Sequence, residues 1–259
     1  MDPLSSDLRS ALVDLLLSLA DDKFFLGCRN SDWTGLGPMI EEDIAFSALA
    51  QDDIAHAKAI YEFTAGLTGD DANRLAFGRA AAEYRCAQIV ELPDEFDWAF
   101  AIVRQCFCDH FDELRIQRLA KSSVKPLAEL AERMLAEERL AMGHSDSWVV
   151  RLARGTEESR GRVAKALAQL APRAGELFEP TAGLAALEQA GVYPPLKHGM
   201  FEVWSIRVEE LLQRANLSAE FVVPGGAFRG GRSGVHSEYF APWLTEISEV
   251  YRVEPNAQW

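Results

Sequence analysis

Apolar positions recur at the helical period in four long segments of the chain. In the first, about residues 5–28, Leu8, Leu12, Leu15, Leu19 and Leu26 follow 4-3-4-7 spacing and form one continuous stripe. The second, about 39–65, carries Phe46, Leu49 and Ile60 and is expected to stop at Gly66. The third, about 95–121, aligns Trp98, Ile102, Ile116 and Ala120. The fourth, about 126–154, aligns Leu127, Ala131, Met134, Ala141, Trp148 and Leu152, with Pro126 suited to a first helical turn. Shorter helices are expected over about 156–170, 181–190, 197–215 and 237–251, separated by proline and glycine. No stretch alternates long enough for a strand. The pattern predicts an all-α protein. It forms one domain over residues 1–259, with a four-helix bundle at about 5–154 and a helical extension at about 155–259.

Each bundle stripe is interrupted by acid. Asp22 lies between Leu19 and Leu26, Asp53 and His56 between Leu49 and Ile60, Asp109 and Glu113 between Ile102 and Ile116, and Glu138 between Met134 and Ala141. Carboxylates are rarely buried without a partner, so their recurrence on four helices requires a cause. Di-iron bundles provide one: a carboxylate from each of two helices and a Glu-x-x-His pair from each of the others, since residues three apart share a helix face. Here Asp53-x-x-His56 keeps the pair in an Asp form, whereas Glu138-x-x-Ala141 has lost its histidine. The expectation is a degenerate metal site at Asp22, Asp53, His56, Asp109, Glu138 and Ala141, with no catalytic residue. Any metal it held would fall to Asp53, His56, Asp109 and Glu138. Without metal the clustered acids must bind protons or pair with a base; Arg104, Arg115, Arg139 and Lys58 are the candidates.

Composition narrows the partners. The net charge of −14 on 259 residues disfavours nucleic acid and anionic membrane surfaces. The start MDPLSSD lacks a basic leader region, and the most apolar stretch is short and holds Asp14. Cys28, Cys86, Cys106 and Cys108 form no metal-binding or redox spacing and read as reduced thiols, which points to the cytoplasm. A GxxxxG-Arg-Ser run at Gly226–Ser233 comes one letter from a phosphate-binding loop. It lacks the lysine and the strand-to-helix setting that give that loop its function, and reads as a surface segment.

Several blocks in order resemble a known family: Leu19–Asp22, Asp32-Trp33, Glu41–Ala45, His144–Trp148, Gly155–Ser159, Gly175–Phe178, Gly230–Glu238 and Pro255–Trp259. They are similar to the ferritin-like structural (PaaC-type) subunit of the multicomponent phenylacetyl-CoA 1,2-epoxidase, a monooxygenase of aerobic phenylacetate degradation. The resemblance implies a ferritin-like bundle and a non-catalytic role beside a catalytic subunit that holds the di-iron centre, with a reductase acting indirectly. It implies no cofactor in this chain, and a second copy of itself is a further expected partner. Against the family's usual pattern, His56 stands where glutamine is more frequent. Trp148, Arg232, His236, Glu238 and Trp243 are the candidate interface anchors, because large aromatics and arginine dominate interface energetics. Two other readings remain open: a catalytic di-iron acyl-CoA oxygenase, and a stand-alone ferritin-like binding protein.

Overall fold

Local chemistry sets where the helices start and stop in the computed structural model, which describes residues 4–223 and 229–255. Helix α1, Ser6–Ser31, is capped by Ser5, whose hydroxyl accepts from the Leu8 N–H. It continues past Cys28, where the apolar stripe was expected to end. Helix α2, Ile40–Thr68, runs through Gly66 and closes at Gly69, which takes the left-handed conformation and bonds back to Ala65.

Between the long helices lie α3 (Ala72–Phe77), a 3₁₀ turn and α4 (Gln88–Glu91). Helix α5 spans Trp98–Leu119 and starts later than expected. Glu95 and Phe96 both have positive φ, and Asp97 then caps the amides of Ala99 and Phe100. Helix α6, Lys125–Arg154, begins with Pro126 in its first turn.

The extension carries α7 (Glu157–Leu170), a 3₁₀ helix at Ala171–Phe178, α8 (Leu184–Gln189) and α9 (Met200–Arg214). The last expected helix is two, α10 (Phe240–Ile247) and α11 (Glu249–Val253), divided at Ser248, whose hydroxyl bonds back to the Leu244 carbonyl. Among the described residues there is no strand, and no helix is long and apolar enough to cross a membrane.

The four long helices pack as antiparallel neighbours of a ferritin-like bundle, α1 against α2 and α5 against α6. Gly27 permits the first contact: a Cβ there would stand 2.8 Å from Ile54 Cγ1 and 3.0 Å from the Ala50 carbonyl oxygen. Instead of one buried stripe each, α1 over 18–27 and α5 over 101–116 are buried on every side. Over 18–27, α1 is covered by the connection at 75–92 and by the C-terminal segment, whose Arg232, Phe240 and Trp243 pack on it, while α7 and α9 cover α5. Trp204 of α9 is fully buried and donates its Nε1–H to the Phe107 carbonyl at 3.0 Å, fastening the extension to the middle of α5.

Candidate metal centre

Where four inward carboxylates suggest cations, the bundle holds a lysine. Lys23 follows Leu19 by four residues and precedes Leu26 by three, so it stands on the α1 stripe and its ammonium enters the bundle centre. Its Nζ lies 2.8 Å from Asp53 Oδ1 and 3.1 Å from Asp112 Oδ2, and it also contacts Glu138 Oε1. The residue has no solvent exposure. Burial would discharge the ammonium, yet Asp112, Asp53, Glu138 and Asp109 outweigh burial and raise its pKa well above the usual lysine value.

The carboxylates respond unequally to this one cation. Burial, only partly opposed by Lys23, pushes Asp53 up to about 6. Burial also raises Asp109 well above the ordinary carboxylate value, although Gln105 and Ser145 donate to its two oxygens at 2.6 and 2.7 Å. Burial works against Asp112 too, but Arg115 and Lys23 outweigh it and hold its carboxyl below the ordinary range. Among the described residues, Asp53 Oδ2, Glu138 Oε2 and Asp112 Oδ2 are buried without a hydrogen-bond partner, the last facing Lys23 only as an ion pair.

His56 is the second cation of the cluster. Nδ1 lies 3.1 Å from Glu138 Oε1 and Nε2 lies 2.6 Å from Glu137 Oε2. Carboxylate oxygens only accept, so both contacts are satisfied only when both ring nitrogens carry protons. Burial lowers the imidazole pKa, but the bonds to Glu138 and Glu137 prevail and raise it above the usual value.

A di-iron centre does not fit these residues. Lys23 places N–H donors and a positive charge against Asp53 and Glu138, two of the carboxylates that would bind the metals, and against Asp112 beside them; the imidazolium has no free lone pair, and Ala141 offers no ligand.

The model of the family described as phenylacetic acid catabolic protein matches residues 2–259. This chain belongs to that family. It is also similar to a subunit of the 1,2-phenylacetyl-CoA epoxidase of Escherichia coli (strain K12), with 29% identity over 250 residues, covering 96% of this chain and 99% of the relative.

Within this family member, the expected site residues divide. Asp53, His56, Asp109 and Glu138 converge with Lys23 and Asp112, and Ala141 is buried nearby on α6. Asp22 does not join them. One residue along a helix is a rotation of about 100°, and Asp22 faces the extension, where Arg232 grips it with Nη1–Oδ1 at 2.8 Å and Nη2–Oδ2 at 2.6 Å. Arg115 Nη1 is 2.9 Å from Asp22 Oδ2, and the Ala87 N–H donates to Oδ1 at 2.7 Å.

Of the expected counter-ions, only Arg115 serves the cluster, through Asp112. Arg104 binds Asp94 and the Leu92 carbonyl, Arg139 reaches Glu113 at 3.3 Å, and Lys58 is exposed beside Glu62. Sequence reading passed over Lys23 and Asp112. The signal for Lys23 was the 4-3 spacing itself, because position 23, unlike 22, completes the stripe between Leu19 and Leu26.

Four of the five expected interface anchors serve this chain's own interior. Trp148 is buried and donates to Glu42 at 2.6 Å, and Trp243 lies beneath the Arg29 guanidinium. Arg232 is spent on Asp22, and His236 bonds Glu91 at 2.6 Å while stacking on Phe240. Glu238 is exposed. The glycine-rich run beside them, of which residues 224–228 lie outside the described residues, does hold an anion, but one of its own. The amides of Gly230 and Arg232 and the Ser233 hydroxyl all donate to the Glu179 carboxylate at 2.7–3.1 Å.

Two further groups offer three metal-ligand types each, Cys86–Glu91–His236 and Cys106–His110–Asp146. In both, the histidine is 2.6–2.8 Å from the carboxylate, the separation of a shared proton.

Proposed function

We propose that this chain is the non-catalytic structural subunit of a phenylacetyl-CoA epoxidase complex in aerobic phenylacetate degradation. In this reading it works in the cytoplasm, carries no metal or other cofactor, and braces a separate di-iron catalytic subunit supplied with electrons by a reductase. One observation carries the reading: the Lys23 ammonium stands among Asp53, Asp112 and Glu138 where a catalytic member would need metal. The assignment to phenylacetyl-CoA draws on the relative named above.

A cluster satisfied by a lysine and an imidazolium keeps the bundle closed without a redox-active ion, which suits a scaffold. Exposed apolar side chains on the two helices that flank the cluster support docking: Ile40 and Ile44 on α2 and Leu140 on α6, each more than half exposed. Free cysteines agree with a reducing compartment.

Co-expression with a di-iron subunit of the same operon, followed by size-exclusion chromatography and iron analysis, tests the reading. The expected result is co-elution, with the iron content set by the catalytic chain alone. Elution of this chain only as a monomer or homodimer, or ring oxidation of an aryl-CoA by this chain in the absence of that partner, would overturn it.

A further inference from the structure

Three of the chain's six tryptophans meet at one end of the bundle. Trp33 follows α1, Trp98 opens α5 and Trp148 lies near the end of α6, and helices that alternate in direction bring these positions together. Trp98 is the middle of the row. Its ring centroid is 5.1 Å from that of Trp33 and 5.4 Å from that of Trp148, each edge to face. Phe46 of α2 packs on Trp98 at 4.8 Å and closes the row from the side.

Packing requires only apolar area and ring geometry, yet the polar edges of the three indoles differ. Trp148 donates its Nε1–H to Glu42 Oε2 at 2.6 Å, and Trp33 donates to Asp94 Oδ2 at 3.2 Å. Trp98 Nε1 is buried with no hydrogen-bond partner, and Trp204, outside the row, donates to a backbone carbonyl. Among the described residues, then, an indole N–H meets a carboxylate only at the two ends of this row. A carboxylate, unlike a carbonyl, is a base that takes the proton as well as accepting the hydrogen bond. His144 Nε2 lies 2.9 Å from the same Glu42 oxygen and links it to the surface.

Of the neutral aromatic side chains, indole loses one electron most readily, and the resulting cation is a strong N–H acid. Where no base adjoins it, the cation keeps its proton and remains a strong oxidant. Beside a carboxylate it sheds the proton and is trapped as a neutral indolyl radical. An electron vacancy on Trp98 therefore falls toward Trp148 or Trp33, each one ring contact away. The shorter N–O distance makes Trp148 the preferred end.

We propose that Trp33, Trp98 and Trp148 form a one-electron relay, in which an oxidising equivalent received at Trp98 is trapped at the carboxylate-bound ends. A one-electron oxidant of the metal-complex class removes an electron from Trp98, the half-buried ring of the three. Trp148 then passes an electron to oxidised Trp98, its Nε1–H bond breaks and the proton goes to Glu42; Trp33 does the same with Asp94. A thiolate reductant returns the electron, and the carboxylic acid returns the proton to nitrogen. Glu42 sits between the exposed Ile40 and Ile44 on α2, so the Trp148 end lies beneath the helix that carries them. The relay belongs to this chain alone and stands independently of any partner.

Photo-oxidation of the full chain by ruthenium tris(bipyridine), with persulfate as terminal electron acceptor, tests it. The readouts are freeze-trapped electron paramagnetic resonance and mass mapping of oxidised tryptophan. Attack governed by exposure would mark half-buried Trp98 above Trp33 and Trp148, which are 5% and 6% exposed. The relay predicts the reverse, with a neutral indolyl radical and most of the oxidation at Trp148 and Trp33. Trp98→Phe keeps a ring in place that is not oxidised, and should remove most of the oxidation at both ends. Glu42→Gln keeps an acceptor oxygen but not the base, and should move the trapped radical from Trp148 to Trp33. Trp243→Phe, outside the row, should change neither. Wild-type oxidation confined to Trp98 would overturn the relay. So would oxidation of Trp148 and Trp33 that is unchanged in both Trp98→Phe and Glu42→Gln.

Discussion

On one side of α1 a single ammonium faces an excess of carboxylates, and on another a single carboxylate faces an excess of guanidinium groups. Lys23 meets Asp53, Asp112 and Glu138, with Asp109 close by; Asp22, its neighbour in sequence, meets Arg232 and Arg115. Asp21 points a third way and pairs with Arg79, Tyr61 and the Arg85 amide. The Asp22 pocket is saturated: its oxygens accept from side-chain and backbone donors. The Lys23 pocket is not, since among the described residues three carboxylate oxygens, on Asp53, Asp112 and Glu138, lack a hydrogen-bond partner and the acids are driven to different proton affinities. The difference separates a pocket arranged around ion pairs from one whose acids outnumber the cation that serves them.

The contrast breaks most severely at the lysine. Lys23→Met keeps the length of the side chain but leaves buried carboxylates facing one another, and should cost about 3–5 kcal/mol in urea unfolding at pH 7.5. Arg232→Met removes only one of the two cations on Asp22. A loss of about 2–3 kcal/mol is expected, accompanied by faster proteolysis at the C-terminal segment, because Arg232 bonds that segment to Ser18 and Asp22 of α1.

Smaller effects distinguish the pH behaviour of the two pockets. A histidine whose pKa is raised on folding contributes stability fully below about 6.5, and that contribution is lost as pH rises through the folded value. Asp53, raised to about 6 by burial against Lys23, binds protons more tightly when folded, so its ionisation costs stability above that pH and the cost is relieved as pH falls toward 4. Both signs agree: the urea midpoint should rise from pH 8 to pH 6 through His56, and Asp53 adds to it between about pH 6 and pH 4. His56→Gln should lower stability by about 1–2 kcal/mol at pH 6 and less at pH 8, while Asp53→Asn should remove its share of the slope between about pH 6 and pH 4. Trp148→Phe, which deletes one bond to Glu42 and retains the ring contact with Trp98, should cost about 1 kcal/mol in the same assay.

The bundle was legible because leucine and isoleucine at 3- and 4-residue spacing leave little choice of helix phase over some 25 residues. The convergence of Asp53, His56, Asp109 and Glu138 followed from that phase. The lysine did not, since a basic residue on a stripe is ordinarily assigned to the surface, and only the partners on three other helices make its burial tolerable. Trp148, Trp243 and Arg232 looked available for a partner because nothing in their local sequence shows that Glu42, Arg29 and Asp22 come to meet them. The full burial of α1 and α5 was hidden for the same reason: the covering segments lie far along the chain.

The central claim is that a lysine ammonium stands where a catalytic relative needs metal. Anaerobic titration of the full wild-type chain with ferrous iron at pH 7, followed by desalting and metal analysis, measures this directly. The account predicts far less than one iron per chain; retention of two irons per chain would contradict it.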